Sequence, residues 1–179
     1  MRKIFAAYFV SLDGVYEAPQ KWHFPYQNAQ MEQAVAAQMD DSDTMLLGRR
    51  TYEEFAGAFM NADPSNALAA HMAATPKYVA STTLDDLEWK NSTLLKDDVP
   101  GHVARLKEEP GRDILLNGSA TLMRSLLREG LVDELRLLVH PVVVGSGARL
   151  FEDVKKTPFH LADSAVFDNG VLSLRYEPR

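Results

Sequence analysis

Met45-Leu46-Leu47-Gly48-Arg49-Arg50-Thr51-Tyr52-Glu53-Glu54 is the stretch that decides the fold. Its apolar start, read as a strand over Thr44 to Leu47, suits a strand buried on both faces. Gly48 ends that strand. Thr51, followed three residues later by Glu54, has the spacing of a capping box, so a helix is predicted from Thr51. The same succession returns at Ile114-Leu115-Leu116-Asn117-Gly118-Ser119-Ala120-Thr121, and Leu122, Met123, Leu126 and Leu127 then form one stripe before Gly130. A buried strand that runs within a few residues into a helix is the unit of a helix-covered parallel sheet.

Reading outward, Ile4 to Val10 is a first strand and Ser11-Leu12-Asp13-Gly14 is turn chemistry. Residues Val15 to Gln27 carry Tyr16, Trp22, Phe24 and Tyr26, too many large rings for a linker, so an ordered loop is predicted. Met31, Val35 and Met39 recur at helical spacing within Asn28 to Asp41. Asp63-Pro64 reads as the start of a helix running to about Met72. Short strands follow at Lys77 to Ala80 and Thr93 to Leu95, then a helix at Pro100 to Glu108 stopped by Pro110-Gly111. Leu135 to Val144 is a long apolar stretch broken by Pro141. Leu161 to Phe167 and Val171 to Tyr176 flank Asp168-Asn169-Gly170, a hairpin signal. The expected fold is one α/β domain over 1–179, with a mixed, mostly parallel sheet between helices and an antiparallel hairpin at one edge.

Bulk properties narrow the function. A chain of 179 residues with net charge −6 has no clustered basic face, which argues against nucleic acid. No cysteine is present, which removes disulfide and thiolate chemistry. No apolar run approaches the ~18 residues of a membrane span, and the N-terminus lacks a signal-peptide core, so a cytoplasmic protein is expected. His23, His71, His102, His140 and His160 show no ligand spacing, and no metal site is expected. Neither a Gly-x-Ser-x-Gly elbow nor a phosphate-binding Walker loop occurs.

Each strand-Gly-helix junction would offer unpaired N–H groups and the positive end of a helix dipole, which suits an anion. Two of them at the ends of parallel strands can flank a pyrophosphate. Read singly, Gly48 and Gly118 are ordinary turn glycines, and Thr51 and Ser119 ordinary caps. Arg49 and Arg50 can grip a phosphate, with Ser81-Thr82-Thr83 supplying hydroxyls, or they can pair with surface acids while the hydroxyls cap a turn. Asp13 can orient a substrate or relay a proton, or it can close an Asx turn with Gly14. Trp22, Phe24 and Tyr26 form either a wall for a flat heterocycle or plain packing.

These pieces together carry a resemblance. Ser11-Leu12-Asp13-Gly14 resembles the SxDG element of the riboflavin-biosynthesis reductase domain. Leu46 to Glu53 resembles the GRxTY segment of dihydrofolate reductases, and Lys77-Tyr78-Val79-Ala80-Ser81 resembles the strand that follows. Leu131-Val132-Asp133-Glu134-Leu135, then Pro141, Gly145, Gly147 and Leu150-Phe151, is similar to the family's C-terminal pattern. Five motifs in register cover nearly the whole chain, which thus resembles a stand-alone RibD C-terminal-like reductase of the dihydrofolate reductase-like superfamily.

The resemblance implies NADPH lying across the strand ends. Gly48, Arg49 and Thr51 would meet phosphates, and Ser81 and Thr82 would lie on the 2′-phosphate side. Gly118, Ser119, Ala120 and Thr121 would cradle the pyrophosphate, and the Ala6–Ala7 backbone would face the nicotinamide amide. Hydride would pass to a small pteridine, pyrimidine or related heterocycle, with Asp13 and Trp22 at the substrate and the proton coming from water or from a positioned acid such as Asp13. A homodimer touching through Val139 to Val144 is expected. The alternative is a non-catalytic, dimeric nucleotide-binding sensor on the same fold. Two departures stand out. Asn117-Gly118 replaces the usual Gly-Gly, and the first helix begins Asn28-Ala29-Gln30-Met31-Glu32, where only Glu32 offers the acid a dihydrofolate reductase would carry. The zinc-binding deaminase part of a bifunctional riboflavin-pathway enzyme is not expected.

Overall fold

The computed structural model of the chain describes residues 1–63 and 65–179. In chain order the elements are β1 (Ile4–Ser11), α1 (Ala29–Asp41), β2 (Ser42–Gly48), α2 (Arg49–Phe59), α3 (Ala67–Ala74), β3 (Lys77–Ala80), β4 (Ser92–Leu95), α4 (Val99–Glu108), β5 (Asp113–Asn117), α5 (Ala120–Arg128), β6 (Glu134–His140), β7 (Phe159–Val166) and β8 (Leu172–Pro178). The sheet order is β4-β3-β2-β5-β1-β6-β8-β7. All pairings from β4 through β6 are parallel, while β8 runs antiparallel to both β6 and β7. A parallel centre with an antiparallel edge is therefore the architecture, as the alternation of strands and helices predicts.

The period of two along the central strands assigns the faces. Ile4, Ala6, Tyr8, Val10, Leu46, Ile114 and Leu116 pack with Val103 and Leu106 of α4 and Met123, Leu126 and Leu127 of α5. The alternate positions Met45, Leu47 and Val79 pack with Tyr52, Met72 and Trp89. Leu138 meets Met31 of α1. Between these two groups on that second face lies a small cluster of Phe5, Ala7 and Leu115. Because β2, β5 and β1 are buried on both sides, their near-continuous apolar runs are what a central parallel sheet demands.

Several element boundaries differ from the sequence reading. Helix α2 begins at Arg49 with Gly48 as its N-cap, two residues before the predicted start. Thr51 is buried inside the first turn and its hydroxyl is used across the chain, so no capping box forms. Helix α3 is capped by Asn66, whose side chain accepts from the Ala69 N–H at 3.1 Å. Asp63 accepts from Ser65 instead, and Pro64, the other half of the predicted start, lies outside the described residues. β6 stops at His140, since Pro141 has no N–H to give to a ladder. Residues 15–27 hold two single 3-10 turns, Pro19–Lys21 and Phe24–Tyr26, as an ordered loop should.

Candidate active site

The parallel strands all end at one rim of the sheet, and there the chain opens a cleft of about 1300 Å³. Ligand crevices of open α/β sheets form at this rim, because loops and helix N-termini gather there. Ala7, Gly48, Arg49, Thr51, Ser81, Thr82, Gly118, Ser119, Ala120 and Thr121 all line it. Ten positions scattered through the sequence are thus brought to a single surface.

The two strand-Gly-helix junctions touch each other. β2 and β5 are neighbours, with Leu46 opposite Leu116, so the starts of α2 and α5 lie side by side. The Gly48 N–H donates to Ser119 Oγ at 2.7 Å. Ser119 Oγ donates to Thr51 Oγ1 at 2.8 Å, and the Ser119 N–H donates to the same oxygen at 3.1 Å. Gly118 has φ +59°, and a Cβ built there would stand 2.7 Å from Thr51 Oγ1. Only glycine fits this approach. Ser119 follows with φ 49°, a left-handed conformation that costs a non-glycine residue about 1–2 kcal/mol. The hydroxyl bridge offsets that cost and holds the junction shut.

Both of these helix starts lack a side-chain cap. The other three helices are capped by Asn28, Asn66 and Asp98. Free first-turn N–H groups and two dipole ends are therefore concentrated at the cleft, and this donor set fits a pyrophosphate. Arg49 and Arg50 lie beside it. Arg49 pairs with Glu53 at 3.0 Å and Arg50 with Glu17 at 3.2 Å, both on the surface. Ser81 Oγ accepts the N–H groups of Thr83 and Leu84 and so shapes the turn after β3, leaving Thr82 exposed on the cleft wall.

Asp13 is placed differently from the reading that made it a proton relay. Its carboxylate accepts from Ser11 Oγ at 2.6 Å and from the N–H groups of Val144 and Gly145 at 3.0 and 2.9 Å. The hydroxyl and then the two N–H groups favour the charged form and lower its pKa to about 2. It does not line the cleft. The carboxylate ties the loop after β6 across the end of β1, and Glu17 fastens the same loop by accepting the Ala148 N–H at 3.0 Å.

Trp22 also stands behind the cleft. Its Nε1 donates to the Glu17 carbonyl at 3.1 Å, and its ring packs edge-on against buried His140. Of the three rings read as an aromatic wall, Phe24 lines the cleft, beside Phe9 and His23, while Trp22 and Tyr26 do not. Burial, and then His140, lower the pKa of His23. The sequence reading also missed Phe55 and Phe59, which follow Thr51 at four-residue spacing and line the cleft along α2. That i, i+4, i+8 stripe was a legible signal.

Among the described residues no group of three or more His, Cys, Asp or Glu is arranged to hold a metal. No described helix is long and apolar enough to cross a membrane.

The chain is similar to known proteins. The chain is 34% identical over 143 residues to the uncharacterized protein YyaP of Bacillus subtilis (strain 168), covering 77% of this chain and 75% of that one. A crystal structure of a riboflavin biosynthesis protein from Shewanella sp. PV-4, assigned as such provisionally, superposes with a TM-score of 0.80 at 20% identity, over 99% of both chains. Dihydrofolate reductase from Enterococcus faecalis, solved with NADP(H), superposes with a TM-score of 0.65 at 15% identity, covering 99% of this chain and 96% of that one. At such identities the two superpositions speak for the fold alone, which is dihydrofolate reductase-like. The family model of the RibD C-terminal domain matches residues 2–173, and the chain therefore belongs to the RibD C-terminal domain family.

Proposed function

We propose that the protein is an NADPH-dependent reductase that passes hydride to a small pteridine, pyrimidine or related heterocycle. The observation that carries this reading is the pair of uncapped helix starts, α2 and α5, bridged by Ser119 at one cleft. When bound, the dinucleotide would supply the hydride. The first-turn N–H groups of α2 and α5, with Gly48, Thr51 and Gly118 to Thr121, would hold its pyrophosphate. Arg49 would swing from exposed Glu53 to the 2′-phosphate, with Ser81 and Thr82 beside it, because a surface pair of this kind holds it by only ~0.5 kcal/mol. The Ala7 backbone would hold the nicotinamide amide. Phe9, His23 and Phe24 would stack the substrate and exclude water, so that orientation does most of the work.

Asp13, ionised well below neutrality, is assigned to holding the 144–148 loop, and the proton at the substrate comes from water. The same loop carries exposed Val143 beside exposed Leu12, and the Leu12 N–H is bonded to the Val142 carbonyl at 2.8 Å. This patch is the contact surface we assign to a homodimer.

Steady-state oxidation of NADPH with a panel of oxidised pterins and aminopyrimidines tests the reading. Turnover with at least one member is expected. NADPH binding without any turnover would favour a nucleotide-binding sensor instead.

A further inference from the structure

Past the phosphate-facing end, the cleft continues between α1, α2 and α3. Met31, Val35 and Met39 line it from α1, Phe55 and Phe59 from α2, and Leu68 from α3, above a floor of Met45 and Leu115. These side chains suit apolar surface, and Gln38 and His71 are the uncharged or weakly basic polar side chains that α1 and α3 add to the lining.

The charges sharpen the point. Three cations line the whole cleft, Arg49, Arg50 and Lys96. Each is already matched to a carboxylate, by Glu53 at 3.0 Å, Glu17 at 3.2 Å and Asp85 at 2.8 Å. Arg49 and Arg50 open α2, and Lys96 follows β4, so all three belong to the cofactor-facing elements. Glu32, Asp40 and Glu54 also line the cleft, and none of them has an ion-pair partner among the described residues. On the α1 side, Met31, Val35 and Met39 are thus joined by two carboxylates, Glu32 and Asp40, with no ion-pair partner among the described residues. Moving a phosphate there would strip its water and set it against like charges, away from the three cations, which stand at the start of α2 and after β4.

We infer that the substrate carries an apolar arm, uncharged or cationic, and that this cleft discriminates against a phosphorylated one. The inference rests on the reductase reading for its orientation, with the ring over the nicotinamide side and the arm between α1 and α2. It would set this chain apart from a structural neighbour in Thermotoga maritima that is named a diaminohydroxyphosphoribosylaminopyrimidine deaminase/5-amino-6-(5-phosphoribosylamino)uracil reductase, with a TM-score of 0.70 at 14% identity over 99% of this chain and 57% of that one. Exclusion works through these carboxylates as much as through the apolar walls.

The test keeps the ring constant and changes only the arm. The full chain is titrated by calorimetry, with and without saturating NADPH, using 5-amino-6-(benzylamino)uracil, the 6-ribosylamino analogue and its 5-phosphate. The expected order of affinity is benzyl, then ribosyl, then phosphoribosyl, with about tenfold or more between first and last. In Glu32→Lys the phosphorylated probe should gain several-fold while the benzyl probe holds. A phosphorylated probe that binds as tightly as the ribosyl one, or failure of all three, overturns the inference. Failure of NADPH itself to bind sinks the reductase reading separately, because the order of the probes is still read on the protein alone.

Discussion

The backbone N–H of Gly48 is bonded to the hydroxyl of Ser119 across 71 positions of sequence, at 2.7 Å. That contact joins the ends of two adjacent parallel strands, and with them the starts of α2 and α5. Removing the hydroxyl in Ser119→Ala leaves the Gly48 N–H without its acceptor and Thr51 Oγ1 with the Ser119 N–H alone. A loss of about 1–2 kcal/mol in unfolding free energy is expected, together with weaker NADPH binding. Ser119→Gly separates the causes, because it keeps the left-handed backbone easy while also losing the bridge. Glycine restoring full NADPH affinity would show that the hydroxyl is irrelevant to the site.

Gly118→Ala places a methyl group 2.7 Å from Thr51 Oγ1 at a positive φ. Strain and overpacking together should cost about 2–4 kcal/mol, measured by chemical denaturation. Thr51→Ala removes the two nearest obstructing atoms. In a double-mutant cycle it should recover part of the loss, whereas simple additivity would contradict the close approach.

Arg49→Ala should leave the melting temperature nearly unchanged, since it breaks only an exposed i, i+4 pair with Glu53. NADPH binding should fall about tenfold or more while NADH binding changes little. Equal losses for both cofactors would remove Arg49 from the 2′-phosphate.

Asp13 and Lys77 both make stability rise with pH, in two separate windows. The pKa of Asp13 falls from the ordinary 3.8 to about 2, so its stabilising contribution is complete above about pH 4 and is lost as pH falls toward 2. Asp13→Asn should flatten that acid limb of thermal stability and leave the neutral pH profile of turnover unmoved. A shifted turnover profile would restore Asp13 as the proton source.

Lys77 is fully buried. Its Nζ donates to the carbonyls of Met72 and Thr75, both at 2.7 Å, and sits 4.4 Å from the centre of the Trp89 ring. Burial, and then Lys90, bring its pKa from 10.5 down to about 8. Between those values the unfolded chain binds more protons than the folded one, so stability rises with pH across the window. Lys77→Met should abolish that rise, and a wild-type curve that falls there instead would contradict the assignment.

Much of the fold was legible because apolar runs and helical stripes are local. Leu46–Leu47 and Leu115–Leu116 announce buried strands, and Asp168-Asn169-Gly170 announces the hairpin. The start of α2 was misplaced because Thr51 has capping chemistry, yet Ser119, remote in sequence, takes its hydroxyl. The cleft-lining residues were legible because glycine and small hydroxyl residues at strand ends mark the rim of a parallel sheet. The role of Asp13 was not, since its partners Val144 and Gly145 contribute only backbone N–H groups, which every residue but proline carries. Trp22 failed for a related reason: nothing in a run of aromatics says which rings face a cleft and which support it from behind.

The central claim is that α2 and α5 form one dinucleotide site. A calorimetric titration of the purified chain with NADPH, beside NADH, tests it most directly. The account predicts one site per chain with micromolar affinity for NADPH and clearly weaker binding of NADH. No heat of binding for either cofactor at millimolar concentration would contradict it.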